Sequence, residues 1–255
     1  MKSEETKSKR EAGKATVVNS SFFTHNSSLV SKEVVGMLLT REEMTLHRDA
    51  PRFSIEHDRE TILRALSHLF YGEVGAVKIG QWVTKAPDLE GMLEIVKQTR
   101  DETRHAGIFH RLLQRYGIAP EGALVSDMDA LHGVISHTWE EMLFESMVVG
   151  EGLALVLLYF YHDVIADASI RHGLRRVIHD EESHVDYGER KIAEYLARQP
   201  ELRDRLLTMQ EALIQHYSSF ISGQTPADPL EEMIAGFPML IIQMHVTRLQ
   251  RLGLL

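Results

Sequence analysis

Two segments of the chain repeat one another: Asp101-Glu102-Thr103-Arg104-His105 and Asp180-Glu181-Glu182-Ser183-His184. Each is a Glu-x-x-His preceded by Asp, and each has a glycine shortly downstream, Gly107 and Gly188. On an α-helix, residues three apart share a face, about one turn from each other. A carboxylate and an imidazole therefore reach one point in space from a single helix. Two such helices facing each other can hold a pair of metal ions between them. The repeat thus calls for long helices packed side by side.

The remainder of the chain supplies them. Ile62, Leu66, Leu69, Phe70, Val74, Val77 and Trp82 recur at helical spacing and predict a first helix over 58–85, punctuated by Pro87. Met92, Ile95, Val96, Thr99, Ala106, Phe109 and Leu113 predict a second over 88–116, with Gly117 at its C′ position and Pro120 beyond. A third is expected over 126–165, bent near Gly150 or Gly152, and a fourth over 167–198, ended by Pro200. A fifth follows over 201–221, and a last apolar stretch, 229–249, is expected to be kinked or split at Gly236 and Pro238. Residues 1–28 are polar and read as a flexible tail, and 29–255 as a single helical domain. Ser31 is a fair N-cap for a short helix, and 46–57, with Pro51, reads as a connector. Strand-like alternation is hard to find, so the fold class is all-α: a four-helix bundle with additional N- and C-terminal helices.

Composition narrows the chemistry. The chain has no cysteine, which excludes disulfides, thiolate metal sites and cysteine nucleophiles. A formal charge of −9 argues against a nucleic-acid partner, because phosphate-gripping surfaces are basic. No run of 18 apolar residues is present, and the apolar stretch 147–161 is interrupted by Glu151, so no membrane span is expected. The charged N-terminus does not resemble a signal peptide, and a cytoplasmic protein is the default expectation.

If the two Glu-x-x-His helices hold a metal pair, two other helices should each offer an interior carboxylate. Glu73 lies in Leu69-Phe70-Tyr71-Gly72-Glu73-Val74-Gly75-Ala76-Val77, and Glu151 in Met147-Val148-Val149-Gly150-Glu151-Gly152-Leu153-Ala154. Both are carboxylates inside apolar, glycine-studded runs. The spacing is matched: Glu102 follows Glu73 by 29 residues and Glu181 follows Glu151 by 30. An antiparallel helix pair returns the chain to the same height after about that length. Glu140 lies on a face similar to that of Glu151, whereas Glu145 is expected to be off that face and solvated. Four carboxylates neutralise most of the charge of two iron ions, and imidazoles complete the coordination.

The ordered set Glu73, Glu102-x-x-His105, Glu151, Glu181-x-x-His184 resembles the ferritin-like carboxylate-bridged di-iron proteins over about residues 58–195. That superfamily includes ferritins, rubrerythrins, ribonucleotide reductase small subunits, bacterial multicomponent monooxygenases, aldehyde-deformylating oxygenases, N-oxygenases and a tRNA hydroxylase. The resemblance implies a ferritin-like bundle, two iron ions held by those six residues, and oxygen chemistry. It also implies that Asp101 and Asp180 accept the second N–H of a metal-bound imidazole. An offset of one residue turns a helical side chain by about 100°, so each Asp should pair with the His of the opposite helix. Arg104 and His179 flank the motifs. Some N-oxygenating members carry a third imidazole one turn before the last ligand Glu; here Val177 and Ile178 stand there, and His179 should face elsewhere.

The expected function is a non-haem di-iron oxygenase or oxidase that activates dioxygen to oxidise a small organic substrate. Its electrons would come from an external donor, a ferredoxin or flavin reductase. The ligand types admit manganese as well as iron. The alternatives are a manganese catalase or other peroxide-detoxifying protein, an iron-oxidising ferritin-like protein, and, disfavoured by charge, a tRNA hydroxylase. Tyr71, Tyr159 and Tyr187 are expected to be core residues. Gly72, Gly75, Gly150 and Gly152 call either for pocket space or for close helix packing. The apolar C-terminal segment, 239–255, would either close the core or form a homodimer.

Overall fold

The computed structural model describes residues 52–119, 136–222, 230, 232 and 246–255, all within one compact unit. The expected tail, the short helix after Ser31, the tail–domain boundary and most of the 229–249 stretch lie outside the described residues. Four long helices form the bundle. Helix α1 is Arg59–Ala76 and continues as a 3-10 helix over Val77–Lys85; α2 is Leu89–Arg115; α3 is Trp139–Val164; α4 is Ala168–Arg198. Helix α5, Leu202–Ser222, follows directly after Pro200. The architecture is all-α, as the periodicity requires.

Local chemistry fixes the helix ends. The Asp88 carboxylate accepts the Gly91 N–H at 2.8 Å, and the Asp167 carboxylate accepts those of Ser169 and Ile170. Thr138 and Glu141 form a reciprocal capping box at the start of α3. That cap sets the start of α3 at Trp139, later than the expected 126, and residues 120–135 are not among those described. At the other end of α2, Gly117 takes φ +71°, and the Ile118 N–H returns to the Leu113 carbonyl.

Three pairs of contacts fix the directions. Gly80 meets Thr99 while Glu73 meets His105, so α1 and α2 are antiparallel. Lys191 reaches Glu90 while Arg104 reaches Asp180, so α2 and α4 are antiparallel. Gly188 packs on Met147 while Tyr159 bonds Glu182, so α3 and α4 are antiparallel. Helices α2 and α3 therefore run the same way, giving an up-down-down-up order.

The core is two apolar clusters with a polar layer between them. One contains Ile62, Leu66, Phe109, Leu158 and Leu174; the other contains Trp82, Ile95, Met147, Tyr187 and Ile192. Each long helix passes from one cluster to the other close to its Glu or Glu-x-x-His. The inward stripe of α2 is Gly91, Ile95, Gln98, Glu102, His105, Phe109 and Leu112, all buried at alternating spacings of four and three. Val74 and Val96, expected on the core faces, are instead 44% and 48% exposed, because each directly follows or flanks the true stripe and is turned out of it.

Helix α3 departs from ordinary geometry. Residues Leu143–Gly150 form a π-helix, and the Glu151 N–H bonds the Ser146 carbonyl five residues back. The expected bend at the glycines is thus a widened turn. Glu145 is buried, contrary to the expectation of solvation: its carboxylate accepts the Ser136 N–H at 2.8 Å and the Ser136 hydroxyl. The wide turn shifts the helical phase, so an offset counted on 3.6 residues per turn places Glu145 wrongly. By length and composition, Trp139–Val164 is apolar enough to cross a membrane, but its most apolar stretch is mostly buried inside the protein. It is the core helix of the bundle.

Candidate metal centre

Glu73 on α1, Glu102 and His105 on α2, Glu151 on α3, and Glu181 and His184 on α4 are all buried and converge. Two overlapping groups result: Glu73, Glu102, His105 and Glu181, and Glu102, Glu151, Glu181 and His184. Within each group, one potential ligand atom per residue lies within 4.8 Å of all the others. Glu102 and Glu181 belong to both groups; Glu73 and Glu151 belong to one each.

The carboxylate oxygens are divided between the two rings. Glu181 places Oε1 2.8 Å from His105 Nδ1 and Oε2 2.8 Å from His184 Nδ1. Glu102 places Oε2 3.4 Å from His105 Nδ1 and Oε1 3.4 Å from His184 Nδ1. Glu73 approaches only His105 Nδ1, at 3.3 Å. The ring centroids are 6.4 Å apart. Two carboxylates thus face both imidazoles, one oxygen to each.

Each outer nitrogen faces an aspartate of the opposite helix, and His105 is in hydrogen-bond contact with its aspartate. His105 Nε2 lies 3.1 Å from Asp180, and His184 Nε2 lies 3.5 Å from Asp101. With an ion bound, carboxylates at Nε2 would hold the proton there and leave each Nδ1 free to ligate. Arg104 ties the two aspartates together, at 3.1 Å from Asp101 and 2.5 Å from Asp180. His179 is exposed, and Val177 and Ile178 are buried apolar residues, so α4 brings no third imidazole to the layer at the position one turn before Glu181. Tyr71, Tyr159 and Tyr187 are buried, and the Tyr159 hydroxyl donates to Glu182. Glu140 is only partly buried and stands apart from both groups.

Sequence reading missed Gln98. It is fully buried one turn before Glu102, and its Nε2 donates to Glu151 Oε1 at 2.7 Å. The signal was present: Gln98 interrupts the apolar stripe Gly91, Ile95, Phe109 at a position in phase with both ligand candidates. The glycines divide between the two readings. Gly72 has open space where a Cβ would stand, whereas at Gly152 a Cβ would collide with the Arg248 guanidinium, which packs there from the C-terminal helical segment 246–251.

Burial and mutual repulsion control the protonation of this layer. Burial pushes Glu73 well above the usual carboxylate range, the His105 hydrogen bond opposes it, and the charges of Glu181 and Glu102 reinforce it. Burial likewise raises Glu151, aided by the charges of Glu181, Glu102 and Glu73. Burial would also raise Glu181, but hydrogen bonds from His105 and His184 outweigh it and hold Glu181 at about 2. Burial works against protonated imidazoles, yet the adjacent carboxylates of Glu102, Glu181 and Glu73 raise His105, and that of Glu181 raises His184.

The donor set fits divalent metal ions. Both oxygens of Glu102 are buried with no hydrogen-bond partner, a costly state for a carboxylate in a protein interior. Four carboxylates and two inward imidazole nitrogens match the charge and ligand preferences of such ions.

A model of the family described as ferritin-like domain, actinomycetes, matches residues 56–233. The chain belongs to this ferritin-like family. No curated protein matches the chain. The matched span contains all six converging residues together with Gln98, Asp101, Arg104 and Asp180.

Proposed function

We propose that the protein is a non-haem di-iron oxidoreductase that uses dioxygen to oxidise a small organic substrate. The observation that carries this reading is the placement of Glu102 and Glu181, each with one oxygen toward either imidazole. Glu73, Glu102, His105 and Glu181 would hold one ion, and Glu102, Glu151, Glu181 and His184 the other. When bound, a reduced iron pair supplies electrons to dioxygen and a site at which a substrate is oxidised. Four carboxylates balance the charge of two ferrous ions.

The chain's own residues prepare that site. Asp180 contacts the outer nitrogen of His105, Asp101 lies beside that of His184, and Arg104 braces both aspartates from the surface. The two apolar clusters flank the layer and bury its carboxylates and imidazoles, which strengthens the charge interactions within it. Among the described residues no second redox-active group is present, so reducing equivalents are expected from a separate ferredoxin or flavin reductase. Manganese suits the same ligands, and a manganese catalase is the competing reading.

The test is anaerobic loading with ferrous iron, then oxygen, followed by absorbance and oxygen uptake with a panel of amines, aldehydes and fatty acids. The reading expects two irons per chain, oxygen uptake dependent on an added reductant, and product from one substrate class. Rapid dismutation of peroxide without reductant, with no oxygenated product, would overturn it in favour of catalase.

A further inference from the structure

Gln98 is fully buried in the layer, yet it is neither a ligand candidate nor in contact with an outer imidazole nitrogen. Its counterpart in the second half, four residues before Glu181, is Val177, which is apolar and fully buried. The two halves of the repeat are therefore unequal at this point. Gln98 is in hydrogen-bond contact with Glu151, and its other polar atom, Oε1, is buried with no hydrogen-bond partner.

A metal-bound carboxylate is ionised and only accepts hydrogen bonds. Gln98 must then present its NH2 to Glu151, and the carbonyl is fixed pointing away. A buried amide kept with half of its hydrogen bonding unmet calls for a purpose. The bond occupies Glu151 Oε1 and limits how that carboxylate can turn. No donor in the described residues holds Glu73 in the same way: its side-chain partner is His105 alone.

Resting on the dimetal reading, we infer that Gln98 is a positioning residue that sets the Glu151 carboxylate and makes the Glu151–His184 ion position different from the Glu73–His105 position. It acts through Glu151 and not by ligating the ion itself.

The test is titration of the metal-free protein with cobalt(II), followed by calorimetry and visible absorbance. Wild type is expected to take two ions. In Gln98→Met, an unbranched apolar replacement, one ion keeps its affinity and its spectrum. The other weakens by about 10–100-fold, the range seen when a ligand loses its supporting hydrogen bond. The same substitution has no further effect on a Glu151→Gln background and its full effect on a Glu73→Gln background. Ile95→Val, one turn away on the same stripe, shifts neither ion. Should Gln98→Met fail to fold, Gln98→Asn, with an amide one methylene shorter, gives the same reading. Equal weakening of both ions, no weakening, or an effect that persists without the Glu151 carboxylate overturns the inference. Uptake of fewer than two ions by wild type overturns the dimetal reading itself.

Discussion

Gly188 and Gly72 offer the same substitution in two opposite environments. A Cβ added at Gly188 would stand 2.6 Å from Met147 Cβ. Carbon atoms pack at about 3.5–4.0 Å, so α3 and α4 would have to separate by about 1 Å. Met147 Cβ is fixed to its backbone and cannot swing aside by a rotamer change. Overpacking of this kind costs about 1–3 kcal/mol, while exchanging a helical glycine for alanine returns about 1 kcal/mol. Gly188→Ala should therefore destabilise the protein by roughly 0–2 kcal/mol. At Gly72 nothing lies within 4 Å of the added carbon. Gly72→Ala should stabilise by about 0.5–1 kcal/mol. The assay is urea denaturation of the metal-free proteins, with slopes compared to check that the unfolding reaction is unchanged. Gly188 also lies one turn beyond His184, so the separation should weaken metal binding in Gly188→Ala and leave it intact in Gly72→Ala. If Gly188→Ala gained as much stability as Gly72→Ala, the close approach of α3 and α4 would be wrong.

Other outcomes are equally specific. Glu102→Ala removes the carboxylate common to both groups of converging residues and, on the proposed reading, should abolish tight iron binding; retention of two irons per chain by the purified variant refutes that role. Asp180→Asn should lower metal affinity by about 10–100-fold without loss of helicity, as measured by competition with a chelator and circular dichroism. Burial and neighbouring charge hold Glu73 and Glu151 above the ordinary range, so ions must displace protons from them. Affinity should accordingly rise with pH, and calorimetry in buffers of different ionisation heat should show proton release. Burial would raise Glu141, but the Arg205 bond and the His137 and Thr138 N–H groups outweigh it and lower its pKa. Its contribution is present above the unfolded carboxylate range and lost as pH falls through the lower folded value. Glu141→Gln should cost about 1 kcal/mol at pH 7 and progressively less as the solution is acidified, read by denaturant melts.

The parts of the fold that were legible are those written in short-range chemistry. Asp88, Asp167, Gly117 and Pro200 mark helix ends because capping and turn geometry act within a few residues. The six converging residues were legible because a repeated Glu-x-x-His, with an apolar Glu at matched distance, is a rare pattern. Val74 and Val96 were misplaced because an apolar residue beside the inward stripe satisfies helical spacing within one turn but not over three. Glu145 was misplaced for a different reason: π-helical closure is a tertiary outcome, and counting on an α-helical wheel fails once a turn widens. Gln98 went unread because a single amide has no spacing partner to announce it. Gly152 could not be interpreted from its neighbours in sequence, since the group that fills its notch, Arg248, lies about a hundred residues away.

The widened turn of α3 has an evolutionary reading. Closing a turn over five residues where four suffice means that the segment holds surplus chain without lengthening the rod. Removing one residue between Leu143 and Gly150 would let the ladder relax to ordinary closure while both flanks kept their places. The same deletion anywhere else in α3 would rotate everything downstream, Glu151 or the apolar wall with it. This stretch is thus where an ancestral insertion, or a future deletion, could be absorbed while the aim of the Glu151 carboxylate beside it was retuned.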